Sequence, residues 1–304
     1  MTDRPFSTDP TLMHYIASVH DLLLHHWGPL PAPVDWNCHA YLWKPSVHSN
    51  GQGNIVGLPQ YASIQPEDLL HIETQKKRLF TNTEQFINRL PANHALLTGA
   101  RGTGKSSLVR SLLANYATQG LRMLEVGREQ LINLPQIMEQ LASRPEYFII
   151  FCDDLSFSEA ENQYRALKVV LDGTLHATAR NTLIYATSNR RHLLPKKMQD
   201  NLETHYEGDE IHPGESIDEK ISLSDRFGLW LSFHAQNQDE YLDCAAHWLK
   251  RYGGHWDTHT RQEALRFAAQ RSHRSGRSAW HFAQDFAGKT ALHPHAAPHL
   301  PSAF

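Results

Sequence analysis

One stretch constrains this chain more than any other: Gly99-Ala100-Arg101-Gly102-Thr103-Gly104-Lys105-Ser106 fits the pattern G-x-x-x-x-G-K-[ST]. Average residue usage produces such a match by chance in roughly one chain in a hundred of this length. The flanks narrow it further. Ala95-Leu96-Leu97-Thr98 reads as a short buried strand, and Ser106 to Leu113 as the start of a helix. Strand, glycine loop and helix N-terminus, in that order, make a phosphate-binding loop. Gly99, Gly102 and Gly104 let the backbone turn sharply and aim its N–H groups at phosphate oxygens. Ala100, Arg101, Thr103 and Ser107 complete the cradle. The helix N-terminus adds partial positive charge, Lys105 is placed to reach the β- and γ-phosphates, and the Ser106 hydroxyl to ligate Mg²⁺. A glycine-rich turn with a solvated lysine is the plainer alternative. The expectation is a chain that binds a nucleoside triphosphate.

Composition bounds the rest. A chain of 304 residues, 40% hydrophobic and 20% charged, can bury a large core, as two domains or as one large α/β domain with appendages. It has no run of 18 apolar residues, so no membrane span is expected. Met1-Thr2-Asp3-Arg4-Pro5 lacks the charged-then-apolar layout of a signal peptide, and Cys38, Cys152 and Cys244 are far apart and odd in number. A cytoplasmic protein without disulfides is expected. A formal net charge of −3 argues against a surface built to hold nucleic acid, although a local basic face stays open. Histidine is abundant, but His25-His26 and His293-Pro294-His295 have no carboxylate or cysteine at ligand spacing, so a metal site there is not expected.

Helical spacing of Leu12, Ile16, Val19, Leu22 and Leu23 predicts a helix from Pro10 to Trp27. From Gly28 to Ser63, prolines and glycines interrupt Trp36, Tyr41 and Trp43; this reads as an irregular segment packed on the core, with partner binding as the alternative. Pro66 to Leu90 reads as a helical lead-in to the P-loop strand. Strands follow at about 121–126, 147–152, 181–187 and 229–233, with helices at 134–143 and 161–175. Alternating strands and helices, several strands almost wholly apolar, predict a parallel sheet covered by helices on both faces. From Asp239 only helical periodicity remains, in segments 239–252, 258–271 and 277–288, and a Pro/Ala/His-rich tail closes the chain. The expected division is 1–63 N-terminal helix and aromatic-rich segment, 64–236 α/β nucleotide-binding core, 237–290 small helical lid and 291–304 tail.

Three further positions carry chemistry. The apolar run Phe148-Ile149-Ile150-Phe151-Cys152 leads into Asp153-Asp154, the layout of a Walker B strand. Its tip would present Asp153 to Mg²⁺ and Asp154 to the attacking water, unless the acids merely cap the next helix. The strand Leu183-Ile184-Tyr185-Ala186-Thr187 ends in Ser188-Asn189, where a polar tip could bond the γ-phosphate or could simply cap a helix. Arg226, in Ser224-Asp225-Arg226-Phe227 ahead of an apolar strand, could act as a finger on a neighbouring subunit or form a surface ion pair. Arg277, opening the last helix, could bring a guanidinium onto the phosphates.

A P-loop, a strand ending in two acids, a strand ending in Asn, an arginine before the last strand and an arginine in an appended helical bundle, in this order, resemble the AAA+ ATPases. Within them the chain is most similar to a bacterial family filed as domain-of-unknown-function 815. Asn82-Thr83-Glu84-Gln85-Phe86, 99–107, Phe151-Cys152-Asp153-Asp154-Leu155-Ser156-Phe157, 186–193 and 222–230 carry the likeness, which runs from about Ile64 to Gly288. The resemblance implies Lys105 and Ser106 as Walker A, Asp153 and Asp154 as Walker B, Asn189 as sensor 1, Arg226 as the arginine finger and Arg277 as sensor 2. It also places the segment from Leu70 to Lys77 over adenine. Asp154 stands where most AAA+ motors carry Glu. Asp is one methylene shorter, which implies slow hydrolysis or help from Glu159. The Asp-Asp pair is similar to the helicase-loader branch. His71 stands where related sequences tend to carry Gly.

Around these positions, 203–219 holds seven acidic residues and no Lys or Arg, a solvated loop or a partner contact. Arg190, Arg191, Lys196 and Lys197 cluster just upstream, a subunit contact in preference to nucleic acid. The expected activity is hydrolysis of ATP with Mg²⁺ by a homo-oligomer acting on a protein partner. An ATP-gated loader for a nucleic-acid enzyme is the second reading, and a small-molecule P-loop kinase the third.

Overall fold

A computed structural model describes residues 9–27, 33–45, 53–62, 64–156, 162–172, 180–189, 205–207, 210–212, 223–271 and 273–292. Glu159, the basic cluster Arg190, Arg191, Lys196 and Lys197, most of 203–219 and the tail from His293 lie outside the described residues. The elements are α1 (Pro10–Trp27), β1 (Ala40–Pro45), β2 (Gly53–Leu58), α2 (Glu73–Ile87), β3 (Ala95–Gly99), α3 (Lys105–Tyr116), β4 (Leu121–Glu125), α4 (Leu134–Ala142), β5 (Tyr147–Cys152), α5 (Asn162–Asp172), β6 (Thr182–Ser188), a two-stranded pair β7 (His205–Glu207) and β8 (Glu210–His212), β9 (Leu229–Phe233), α6 (Gln238–Arg251), α7 (Thr258–Gln270) and α8 (Gly276–Leu292).

Seven strands form one sheet in the order β2-β1-β4-β5-β6-β3-β9. Six run parallel to one another and β2 runs antiparallel to β1. Period-two alternation explains how an almost wholly apolar strand serves two faces. Phe148, Ile150 and Cys152 of β5 join one buried cluster with α4 and α5, while Ile149 and Phe151 join the other with α2 and α3. This is the expected parallel sheet covered on both sides.

The segment expected to be irregular differs. Residues 40–45 and 53–58 are strands, and β1 pairs with β4 through Ala40–Met123, so this region extends the core sheet. Lys44, Pro45, Gly53 and Gly57 break the apolar alternation that would have marked these strands. The aromatics are packed, as expected: Tyr41 and Trp43 are buried, and Trp36 meets Phe148 edge-on at 6.2 Å. In α1, by contrast, Leu12, Ile16, Val19 and Leu22 are exposed.

The helical lead-in also divides. A 3₁₀ turn at Pro66–Asp68 is followed by an extended strap before α2 begins at Glu73. Within the strap His71 adopts φ 61°, a left-handed conformation natural to glycine, and its imidazole pairs with Asp243 of α6 at 3.2 Å. Helices α6 to α8 bury their own cluster around Tyr241, Ala245, Ala264 and Phe282. Capping boxes at Asn237/Glu240 and Asp257/Thr260 start α6 and α7.

Candidate functional site

The strand order places three chemistry-bearing strand ends side by side, because β6 pairs with β5 on one side and β3 on the other. In a parallel sheet the C-terminal tips of neighbouring strands share one edge, where ligands of open α/β sheets bind. Gly99 to Ser106, Asp153-Asp154 and Asn189 therefore meet, although up to 90 positions separate them in the chain.

Gly99, Gly102 and Gly104 take φ of 140°, 77° and 94°. Gly99 also passes β9 closely: a Cβ there would lie 2.0 Å from the Phe233 carbonyl oxygen. Lys105 opens α3 and is buried; its Nζ donates to the Gly99 and Ala100 carbonyls, both at 2.7 Å, and to Asn189 Oδ1 at 3.1 Å. Burial pushes its pKa down, against the opposing pull of Asp154 and Asp153. Asn189 Nδ2 donates to Asp154 Oδ1, so one side-chain amide spans Lys105 and the second acid after β5. Asp154 sits at φ 53°, and Arg101 approaches its other oxygen at 4.0 Å.

Asp153 collects three partners. Ser106 Oγ and Thr187 Oγ1 each donate to its Oδ1 at 2.6 Å, and Arg110 lies 3.4 Å from its Oδ2. Arg110 also reaches Glu125 Oε2 at 3.4 Å. Hydroxyl and carboxylate oxygens held together are the hard-donor chemistry that Mg²⁺ takes, usually through few protein ligands. Neighbouring Cys152 is fully buried, and that burial pushes its thiol up to about 12, which keeps it protonated.

A cavity of about 780 Å³ opens over these groups. Its floor is the P-loop with Asp153, Asp154, Thr187 and Asn189; Leu69 and Ile72 of the strap and Trp248 of α6 line it elsewhere. Arg277 lines it too, and its backbone N–H reaches the Gly102 carbonyl at 3.4 Å. Arg226 is elsewhere. Its Nε pairs with Asp172 at the end of α5, outside the cavity lining. Among the described residues, no group of three His, Cys, Asp or Glu side chains could hold a metal on its own, and no helix is long and apolar enough to cross a membrane.

Sequence reasoning missed Thr187, Arg110 and Glu125. Thr187 had a signal, a hydroxyl two residues before Asn189 in an apolar strand. Arg110 lies one helical turn beyond Ser106, on the same face. Glu125 becomes relevant only through the β4–β5 pairing.

The model of a family described as "Protein of unknown function (DUF815)" matches residues 36–290. No match was found among curated proteins. A RuvB variant from Thermotoga maritima aligns at 14% identity with a TM-score of 0.50, over 74% of this chain and 64% of that one. ORC1 from Aeropyrum pernix, in complex with DNA, aligns at 16% identity with a TM-score of 0.52, over 75% and 64%. The chain thus spans a little under two thirds of the length of these neighbours. At such identities the likeness concerns the fold, that of the AAA+ P-loop proteins.

Proposed function

The chain belongs to the DUF815 family and has the AAA+ fold, and from that premise we propose that it is a slow ATPase that binds ATP with Mg²⁺ and uses hydrolysis to drive or gate a conformational change in a protein partner. The observation that carries this reading is the convergence of Lys105, Asn189 and Asp154 through one side-chain amide at the P-loop end of the cavity.

That geometry supports the following roles. Backbone N–H groups of residues 102–106 donate to the phosphate oxygens, with Lys105 as the buried cation beneath them. Ser106 and Asp153 would hold Mg²⁺, which when bound would neutralise phosphate charge. Asp154 orients the attacking water and receives its proton, and Asn189 aligns Asp154 with the phosphates. Arg277 approaches the phosphates from the C-terminal helices, which act as a lid. Arg226, paired with Asp172 outside its own chain's cavity, acts on the site of a second copy. Slowness follows from Asp154, whose short side chain is held back by Asn189 and Arg101.

Steady-state ATPase assays at rising protein concentration test this. The expected rate per chain climbs with concentration and collapses in Arg226→Ala, by roughly 10³-fold or more if the guanidinium acts as a finger. Tight ATP binding with a flat, negligible rate overturns the ATPase reading in favour of an ATP-gated switch, and the held-back Asp154 is what would favour that outcome.

A further inference from the structure

The cavity is larger than its phosphate-binding floor requires, and part of its lining is aromatic. Trp248 of α6 lines it together with Tyr252 and Trp280. These rings hold one another. Trp248 and Tyr252 stack with centroids 6.5 Å apart and planes 27° from parallel, and Trp280 Nε1 donates to the Tyr252 hydroxyl at 2.7 Å. From the other side His247, packed edge-on against Trp248 at 5.6 Å, bonds Asp68 of the 3₁₀ turn at 2.9 Å. Trp248 is thus flanked by His247 and Tyr252, one tied to the 3₁₀ turn and the other to α8, and these neighbours set its orientation before any ligand arrives. The aliphatic lining from the strap, Leu69 and Ile72, faces the same space.

A triphosphate fixed on the P-loop leaves a planar heterocycle to settle in the rest of the cavity. An aromatic ring that is already immobilised offers stacking at little entropic cost. Taking the ATP-binding reading as its basis, we propose that Trp248 is the platform on which the nucleotide base stacks, and that it makes the site prefer purine over pyrimidine triphosphates. A bicyclic purine covers more of the indole than a single pyrimidine ring does. Trp280, whose Nε1 donates to the Tyr252 hydroxyl, lies three residues beyond Arg277 on α8, so the rings of α6 and the guanidinium are linked through that one hydrogen bond.

Equilibrium titrations with Mg²⁺ and ATP, CTP or inorganic tripolyphosphate test the proposal on the full chain. The wild-type protein is expected to bind ATP more tightly than CTP. Trp248→Leu, which keeps apolar bulk without a ring, should weaken ATP about ten-fold, leave tripolyphosphate unchanged and close the gap to CTP. Trp248→Phe should restore most of the loss. An unchanged ATP-to-CTP ratio in Trp248→Leu, with ATP still bound, overturns the platform alone. Wild-type protein that binds no triphosphate, or Lys105→Ala that binds ATP as well as wild type does, overturns the ATP reading beneath it.

Discussion

Thr187 Oγ1 donates a 2.6 Å hydrogen bond to Asp153 Oδ1 and accepts the backbone N–H of Asp154 at 2.9 Å. One threonine, on β6 between β3 and β5, therefore positions both acids. Its hydroxyl orients the carboxylate proposed to hold Mg²⁺, and it satisfies a backbone donor at a residue with positive φ. Partners of this kind usually set the affinity of a metal site as strongly as some direct ligands do.

Thr187→Val removes the hydroxyl and keeps the branched shape in a fully packed strand. Affinity for Mg²⁺ in the presence of ATP should fall roughly 10–100-fold. Metal-free ATP binding, measured in chelator, should change far less. Equal losses in both titrations would refute the assignment of Asp153 to the metal.

His94 precedes β3, and its Nδ1 accepts the Ile184 backbone N–H at 2.9 Å. Burial pushes its pKa down to about 4 from 6.5. The unfolded chain therefore binds more protons between those values, and stability rises with pH across that window. Acidification from pH 6.5 to 4 should cost on the order of 3 kcal/mol at this one site. Urea unfolding at several pH values should show the slope, and His94→Asn should flatten it.

Lys105 is pushed the opposite way from a surface lysine near acids, because burial outweighs Asp153 and Asp154. A lowered folded pKa means that the unfolded chain binds more protons at alkaline pH. Folding stability in the absence of nucleotide should thus rise as pH passes from the lowered value towards 10.5. ATP affinity should fall over the same window, since the phosphates favour the ammonium. The two trends should have opposite signs in unfolding and binding titrations, and Lys105→Ala should abolish both.

Asp68 is buried between His247 at 2.9 Å and Arg251 at 3.2 Å, while His71 reaches Asp243. Asp243, His247 and Arg251 recur every four residues on α6, so one helix face ties the strap to the C-terminal bundle. Asp68→Ala should loosen that tie, at a cost of about 1–3 kcal/mol, and weaken ATP binding. Limited proteolysis should cut nearer the loop after β9 in the variant. Unchanged cleavage and affinity would show that the bundle docks without this pair.

Gly99→Ala places a Cβ 2.0 Å from the Phe233 carbonyl oxygen at a backbone angle that only glycine adopts freely. A loss on the order of 3 kcal/mol in thermal unfolding is expected. Gly120→Ala is the control: its φ is also positive, but a Cβ there meets nothing within 4 Å.

What was legible in the chain was what local chemistry encodes. The glycine spacing with Lys105 and Ser106, the apolar run ending in Asp153-Asp154 and the strand ending in Asn189 each belong to one segment, whose periodicity and terminal residues can be read without neighbours. The alternation of β4, β5 and β6 with helices implied a parallel sheet for the same reason. β1 and β2 were hidden because Lys44, Pro45 and Gly53 blur their alternation, and their stability comes from pairing with β4. His71 is a partial case: the Gly that related sequences tend to carry there hinted at a left-handed backbone, but only the strap's crossing to α6 shows that His71 adopts it.

By itself, the sequence determined the inventory of the proposed site: the glycine loop, the lysine, the acids and the amide, each at the end of a recognisable strand. Only the tertiary structure decided the adjacencies. Strand order placed β6 between β3 and β5, which let Asn189 touch Lys105 and Asp154 at once and gave Thr187 its hold on Asp153. Helix docking turned Trp248 into the cavity, and the fold set Arg226 against Asp172 outside it. Hydrogen bonds and ion pairs act over a few ångströms, whereas these bonded partners lie 34 to 84 residues apart. Their meeting depends on how the sheet and bundle pack, and no single segment encodes it.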